Sequence, residues 1–94
     1  MNSSRSARDI DSTLARKGFQ RTNDGDHMRY YFYDQQTGAT LSQTKMSHGA
    51  FRKTIGAPLI SQMARQLRLT KKQFLELIDC TLEEEGYRVL LENE

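Results

Sequence analysis

The segment that most constrains this fold is the run His27–Tyr33, which follows a turn at Asn23-Asp24-Gly25. Asn, Asp and Gly tolerate the backbone angles of tight turns between strands. Side chains of a strand point alternately to its two faces, so Met28, Tyr30 and Phe32 are predicted to share a buried face. The opposite, open face would carry His27, Arg29, Tyr31 and Tyr33. We interpret this open face as the working surface of the protein.

Length and composition indicate one small, polar domain. The chain has 94 residues, of which 36% are hydrophobic and 28% are charged. No apolar run approaches the ~20 residues of a membrane span, and the N-terminal residues lack the apolar core of a signal peptide. The single cysteine, Cys80, excludes an internal disulfide framework and fits a reducing compartment. We therefore expect a cytoplasmic protein without a membrane partner, with Cys80 buried in helix packing.

Charge is distributed unevenly along the chain. Residues 1–69 contain eleven Lys or Arg against five Asp or Glu, whereas residues 70–94 contain three against seven. The basic first part is typical of a nucleic-acid binder, although solvated helix faces carry similar biases. The acidic part is interpreted as a structural extension that enlarges the core. The alternative is a regulator that competes with nucleic acid for the basic face or forms a homodimer contact.

Hydrophobic periodicity predicts an α-β-β-β-α order followed by two further helices. The predicted elements are a helix at 5–17, strands at 19–22, 27–33 and 39–46, and a helix at 58–68. Thr70 with Gln73 and Thr81 with Glu84 are capping-box signatures for the two added helices. Leu41 is the clearest core residue of the third strand. The predicted fold class is therefore α+β, with a three-stranded antiparallel meander covered by helices on one face.

Four short motifs resemble the HicA family of toxins from bacterial and archaeal toxin–antitoxin pairs. They are Lys17-Gly18-Phe19, Gly25-Asp26-His27, Ser47-His48 and Leu67-Arg68-Leu69-Thr70. The resemblance covers residues 6–70. Within it, Asp26 replaces the family's serine, and the family's proline before the second histidine is absent.

The resemblance implies a dsRBD-like fold and metal-independent mRNA cleavage, neutralised by a HicB-type antitoxin protein. It divides the chain into an RNA-binding core at 1–69 and a helical extension at 70–94, packed on the core. It also maps the family's catalytic histidine onto His27. No cofactor and no metal are expected.

Three residues are candidates for the chemistry. Histidine suits the removal of a 2′-hydroxyl proton because its pKa lies near operating pH, although His27 could instead only stabilise the turn. Asp26 could orient the imidazole, or serve as a turn residue whose charge repels phosphate. His48 could protonate the leaving oxygen, contact RNA, or cap the turn.

Six further residues are candidate RNA contacts. The aromatic and cationic side chains of the open face would stack on bases and neutralise phosphates, or else form a stabilising cross-strand cluster. The predicted contacts are Arg29, Tyr31, Tyr33, Lys45, Arg52 and Lys53. Two other functions stay open: a non-catalytic RNA- or DNA-binding module, and a protein-interaction adaptor that uses the C-terminal helices.

Overall fold

The computed structural model describes residues 4–50 and 53–92, and these residues form a mixed α+β domain. In chain order the elements are β1 (Arg5–Ser6), α1 (Ala7–Arg16), β2 (Gln20–Asp24), β3 (His27–Tyr33), β4 (Thr40–Ser47), β5 (Thr54–Ile55), α2 (Ala57–Gln66), α3 (Lys71–Ile78) and α4 (Glu84–Glu92). A 3₁₀ turn, His48–Ala50, follows β4. None of the described helices is long and apolar enough to cross a membrane.

The three longer strands form an antiparallel sheet in the order β2-β3-β4, which confirms the predicted meander. The alternation along β3 is also confirmed, because Tyr30 and Phe32 are fully buried while Arg29 and Tyr31 are half-buried. A second, two-stranded sheet pairs β1 with β5. The sequence analysis missed it, since two-residue strands carry no periodic signal.

The helices cover the face of the sheet that carries Tyr30 and Phe32. On α1, the buried Asp11 accepts hydrogen bonds from the Tyr30 hydroxyl at 2.7 Å and the Arg21 guanidinium at 2.6 Å. Burial and this carboxylate raise the pKa of Tyr30 far above its ordinary value. On α2, Gln66 accepts a hydrogen bond from Thr44 of β4 at 2.7 Å. Polar contacts thus tie α1 to β2 and β3, and α2 to β4.

The helix α4 contributes to the same core. The Tyr87 ring lies 4.8 Å from the Phe32 ring and 5.6 Å from the Phe19 ring, between centroids. Its hydroxyl donates to the Leu67 carbonyl at 2.9 Å and lies 2.6 Å from the Ser42 hydroxyl. Tyr87 is thus a core residue that the sequence does not predict, whereas the apolar Val89 of the same helix is 48% exposed.

One predicted helix start is confirmed, because Thr70 with Gln73 forms a complete capping box at α3. The first helix is predicted to begin at residue 5, but the Ser6 side chain caps α1 at Ala7, and Arg5–Ser6 forms the strand β1. The box predicted for Thr81 and Glu84 is wrong, because α4 begins only at Glu84. The Thr81 hydroxyl donates instead to the Glu76 carbonyl, at the end of the preceding helix.

Two predictions about burial are also wrong. Cys80 is exposed, because it has a φ of +67° just after α3 and the chain turns away from the core there. Leu41 is only half-buried, while Ser42 and Thr44 beside it are buried. The register between β3 and β4 shifts at Tyr33, which pairs with Thr40, so Leu41 is the extra residue of a bulge.

Truncation of Tyr87 tests whether α4 is an integral part of the domain. We expect Tyr87→Ala to lower the free energy of unfolding by about 3–5 kcal/mol, since it empties a buried aromatic site. Tyr87→Phe should cost about 1–3 kcal/mol, because the Leu67 carbonyl and the Ser42 hydroxyl lose a partner. Urea denaturation followed by circular dichroism measures both. The matched control is Tyr33→Phe on the open face, and equal stability of all three variants would contradict the assignment.

Candidate functional site

The strand β3 holds four polar or aromatic side chains on the open face of the sheet. These are His27, Arg29, Tyr31 and Tyr33, all half-buried. All four described helices lie on the opposite face, where the core forms. The open face is therefore accessible to a large ligand such as a nucleic-acid strand.

The three candidate catalytic residues lie at one end of the sheet. His27 opens β3 and faces Ser47, the last residue of β4, in the strand register. His48 follows directly, and its backbone N–H donates to the Asp26 carbonyl at 3.0 Å. Asp26 is exposed in the β2–β3 turn. Residues separated by twenty positions in the sequence thus meet because β4 runs back to the turn that begins β3.

The imidazole of His48 is anchored to β2. Its Nε2 lies 2.8 Å from the Asn23 side-chain oxygen. A carboxamide oxygen only accepts hydrogen bonds, so the proton belongs on Nε2 and Nδ1 is the ring atom left for a ligand. The sequence analysis treated Asn23 only as a turn residue. The strand register was needed to find this contact.

His27 and Asp26 are adjacent in sequence but are not joined to each other. Within residues 4–50 and 53–92, the His27 imidazole and the Asp26 carboxylate have no hydrogen-bonding or ion-pairing partner. An imidazole without a fixed partner can rotate toward an incoming hydroxyl and accept its proton. The His27 ring therefore lies at the edge of an open surface and is not fixed by another side chain of the described residues.

The Arg29 guanidinium is engaged by a carboxylate that the sequence analysis did not consider. Arg29 Nε donates to Asp24 at the end of β2 and forms an ion pair with it. The hydrogen bond to Asp24 is the main cause that raises the pKa of Arg29. Any phosphate that binds Arg29 must compete with this carboxylate or share the guanidinium with it.

Aromatic rings continue the open face beyond Arg29. The Tyr31 and Tyr33 rings stack with their centroids 6.0 Å apart and an interplanar angle of 21°. Two residues along a strand lie on the same face, which explains why these rings meet. Exposed edges and faces of such rings are surfaces on which unpaired bases stack.

The predicted basic contacts differ in their surroundings. Lys45 lies directly across from Arg29 on β4 and forms no ion pair within the described parts of the chain. Lys53 is exposed immediately before β5, at some distance in sequence from the strands of the open face. Arg52 lies outside the described residues. Lys45 is thus the basic side chain that most clearly extends the charge of Arg29.

No protein-family model, curated protein or solved structure matches this chain. The described residues also contain no group of three or more His, Cys, Asp or Glu side chains arranged to hold a metal ion.

Removal of the Asp24 charge tests how the ion pair affects the open face. We expect Asp24→Asn to increase the affinity for a short single-stranded RNA roughly two- to fivefold at low salt, because Arg29 loses a competing carboxylate. The gain should shrink as salt is added, since salt screens exposed charges. Fluorescence anisotropy measures the affinity. Glu85→Gln, the same loss of charge at an exposed site on α4, is the control and should change affinity less.

Proposed function

We propose that this protein is a metal-independent RNA endonuclease of the HicA type, with a dsRBD-like α1-β2-β3-β4-α2 core. The observation that carries the proposal is the shared open face of β3, where His27, Arg29 and Tyr31 lie beside one another. Lys45 adds a second cation directly across from Arg29. RNA cleavage without a metal needs a base for the 2′-hydroxyl and donors that stabilise charge on the phosphate, and a stacking surface can position the RNA.

His27 is the proposed general base. Its imidazole takes the proton of a ribose 2′-hydroxyl, and the resulting oxygen attacks the adjacent phosphorus. The bond from phosphorus to the 5′-oxygen then breaks, and that oxygen leaves with a proton from His48 or from water. The products are a 2′,3′-cyclic phosphate and a free 5′-hydroxyl end.

Arg29 and Lys45 are the proposed phosphate contacts. Charge builds on the phosphate oxygens as the 2′-oxygen attacks, and donors fixed beside them stabilise that charge. Arg29 is two residues from His27 on the same face, which corresponds to about 7 Å along a strand. That span suits a base acting on the ribose while the guanidinium binds the adjacent phosphate.

The Tyr31–Tyr33 stack supports binding of unpaired RNA rather than a rigid duplex. A single strand can turn its bases onto aromatic rings, and this stacking tolerates any sequence. The RNA would run along β3, with its bases on the tyrosines and its backbone toward Lys45. Messenger RNA, which is largely single-stranded during translation, is the proposed substrate in the cytoplasm.

A HicB-type antitoxin is the proposed protein partner. A protein that covers the open face would exclude RNA from His27 and Arg29 at the same time. The C-terminal helices are less suited to bind a partner protein, because their Tyr87, Phe74 and Leu77 side chains are buried in the core.

The two carboxylates near the site favour one rival function. Asp24 pairs with Arg29 and Asp26 adjoins His27, so two carboxylates lie at the β2–β3 turn, close to the proposed phosphate site. A non-catalytic RNA- or DNA-binding module on the same open face would tolerate this arrangement. Steep salt dependence of binding, without any cleavage, would favour this rival.

Cleavage of a structured, end-labelled RNA in EDTA tests the proposal. Wild type should cut the RNA, and His27→Ala should cut at least about 100-fold more slowly, because a general base typically contributes that much or more. His48→Ala should slow cleavage less, since water can protonate the leaving oxygen.

Both variants are purified in parallel with wild type, so that a contaminating nuclease would appear equally in all samples. Circular dichroism verifies that each variant is folded. Equal cleavage by wild type and by His27→Ala would show that His27 is not the base.

A further inference from the structure

A cavity of about 350 Å³ opens at the outer edge of β4, next to the proposed phosphate site. It is lined by Arg29, Gln43, Thr44, Lys45 and Gln66. This volume falls within the range of small-molecule sites in proteins. None of the five lining side chains is a carboxylate, and the lining holds two cationic and three neutral polar side chains. A ligand shares the Arg29 guanidinium with Asp24, which is paired with Arg29 from outside the lining.

The hydrogen bond between Thr44 and Gln66 sets the chemistry of this cavity. The Thr44 hydroxyl, which is buried, donates to the Gln66 side-chain oxygen at 2.7 Å. The amide oxygen of Gln66 is thereby occupied, and its two N–H groups are left to donate to a ligand. Gln66 is the last residue of α2, so its amide is held at a fixed point over the edge of the sheet.

Donors therefore dominate the cavity. Arg29 and Lys45 can only donate hydrogen bonds, and Gln66 donates once its oxygen is taken. A ligand that fits must present acceptors, and it should include an anion for the guanidinium. The exposed Gln43 amide can donate or accept a hydrogen bond, so it can match either kind of ligand group.

We propose that this edge cavity binds one nucleotide of a single-stranded RNA and selects guanine there, a selectivity that rests on the proposed function. Guanine carries two adjacent acceptors, O6 and N7, whereas adenine carries a donor beside N7. Lys45 and the Gln66 amide donate to O6 and N7, and Arg29 binds the nucleotide's phosphate. An adenine in the same pose would direct its amino group against these donors.

The cavity adjoins the proposed cleavage site through shared residues. Arg29 lines the cavity and also lies two residues from His27 on the open face. Gln43, another lining residue, is the cross-strand neighbour of Tyr31. A guanosine in the cavity would therefore have its phosphate near His27 and its neighbouring base on Tyr31. The selected base would define where the RNA is cut.

Binding of four matched oligonucleotides tests this selectivity. Each is a fluorescent 2′-O-methyl nonamer of uridine with a different central base, and the 2′-O-methyl groups prevent cleavage. Wild type should bind the guanine-centred oligonucleotide roughly tenfold more tightly than the adenine-centred one. Gln66→Glu should abolish this preference, because it replaces donors with acceptors. Thr44→Val should weaken the preference, because it releases the Gln66 amide to rotate.

The control variant is Gln62→Ala, an exposed glutamine one turn earlier on α2, which should keep the preference. The affinities of wild type for the four oligonucleotides test guanine selection even if the Gln66 and Thr44 variants fold poorly. Equal affinity for all four oligonucleotides would overturn guanine selection while leaving RNA binding and the nuclease proposal intact. Absence of binding to any of them at low salt would overturn both.

Discussion

The burial of alternate side chains on β3 is the constraint on which the rest of the structure depends. Tyr30 is held by the Asp11 carboxylate of α1, and Phe32 packs against Tyr87 of α4. A shift of one residue in register would move these two rings to solvent and bring the charged face into the core. The two contacts therefore also hold His27 and Arg29 on the open side of the sheet.

Ion pairs between the two parts of the chain resolve some of its charge asymmetry. Asp79 pairs with Arg5 at 2.6 Å, which lowers the pKa of Asp79. Glu83 pairs with the nearly buried Lys17 at 3.2 Å. The acidic C-terminal segment thus neutralises cations of the first 69 residues, and only part of the basic excess remains available for a ligand. Lys45 belongs to that remaining part.

Hydrogen bonds between distant elements set what each candidate side chain can do. Asn23 anchors the His48 ring, Asp24 engages Arg29, and Thr44 orients the Gln66 amide. Each contact fixes which atoms of the His48 ring, the Arg29 guanidinium or the Gln66 amide are left to bind a ligand. The proposed functions depend on these supporting hydrogen bonds as much as on the candidate residues themselves.

The amino-acid sequence determined the local features of this protein. Alternation predicted the full extent of β3, and a capping box predicted the start of α3, because these signals act over a few neighbouring residues. The tertiary structure alone decided that Tyr87 is buried and that Asn23 anchors the His48 ring. Those outcomes depend on helix docking and on strand register, which join residues far apart in the chain.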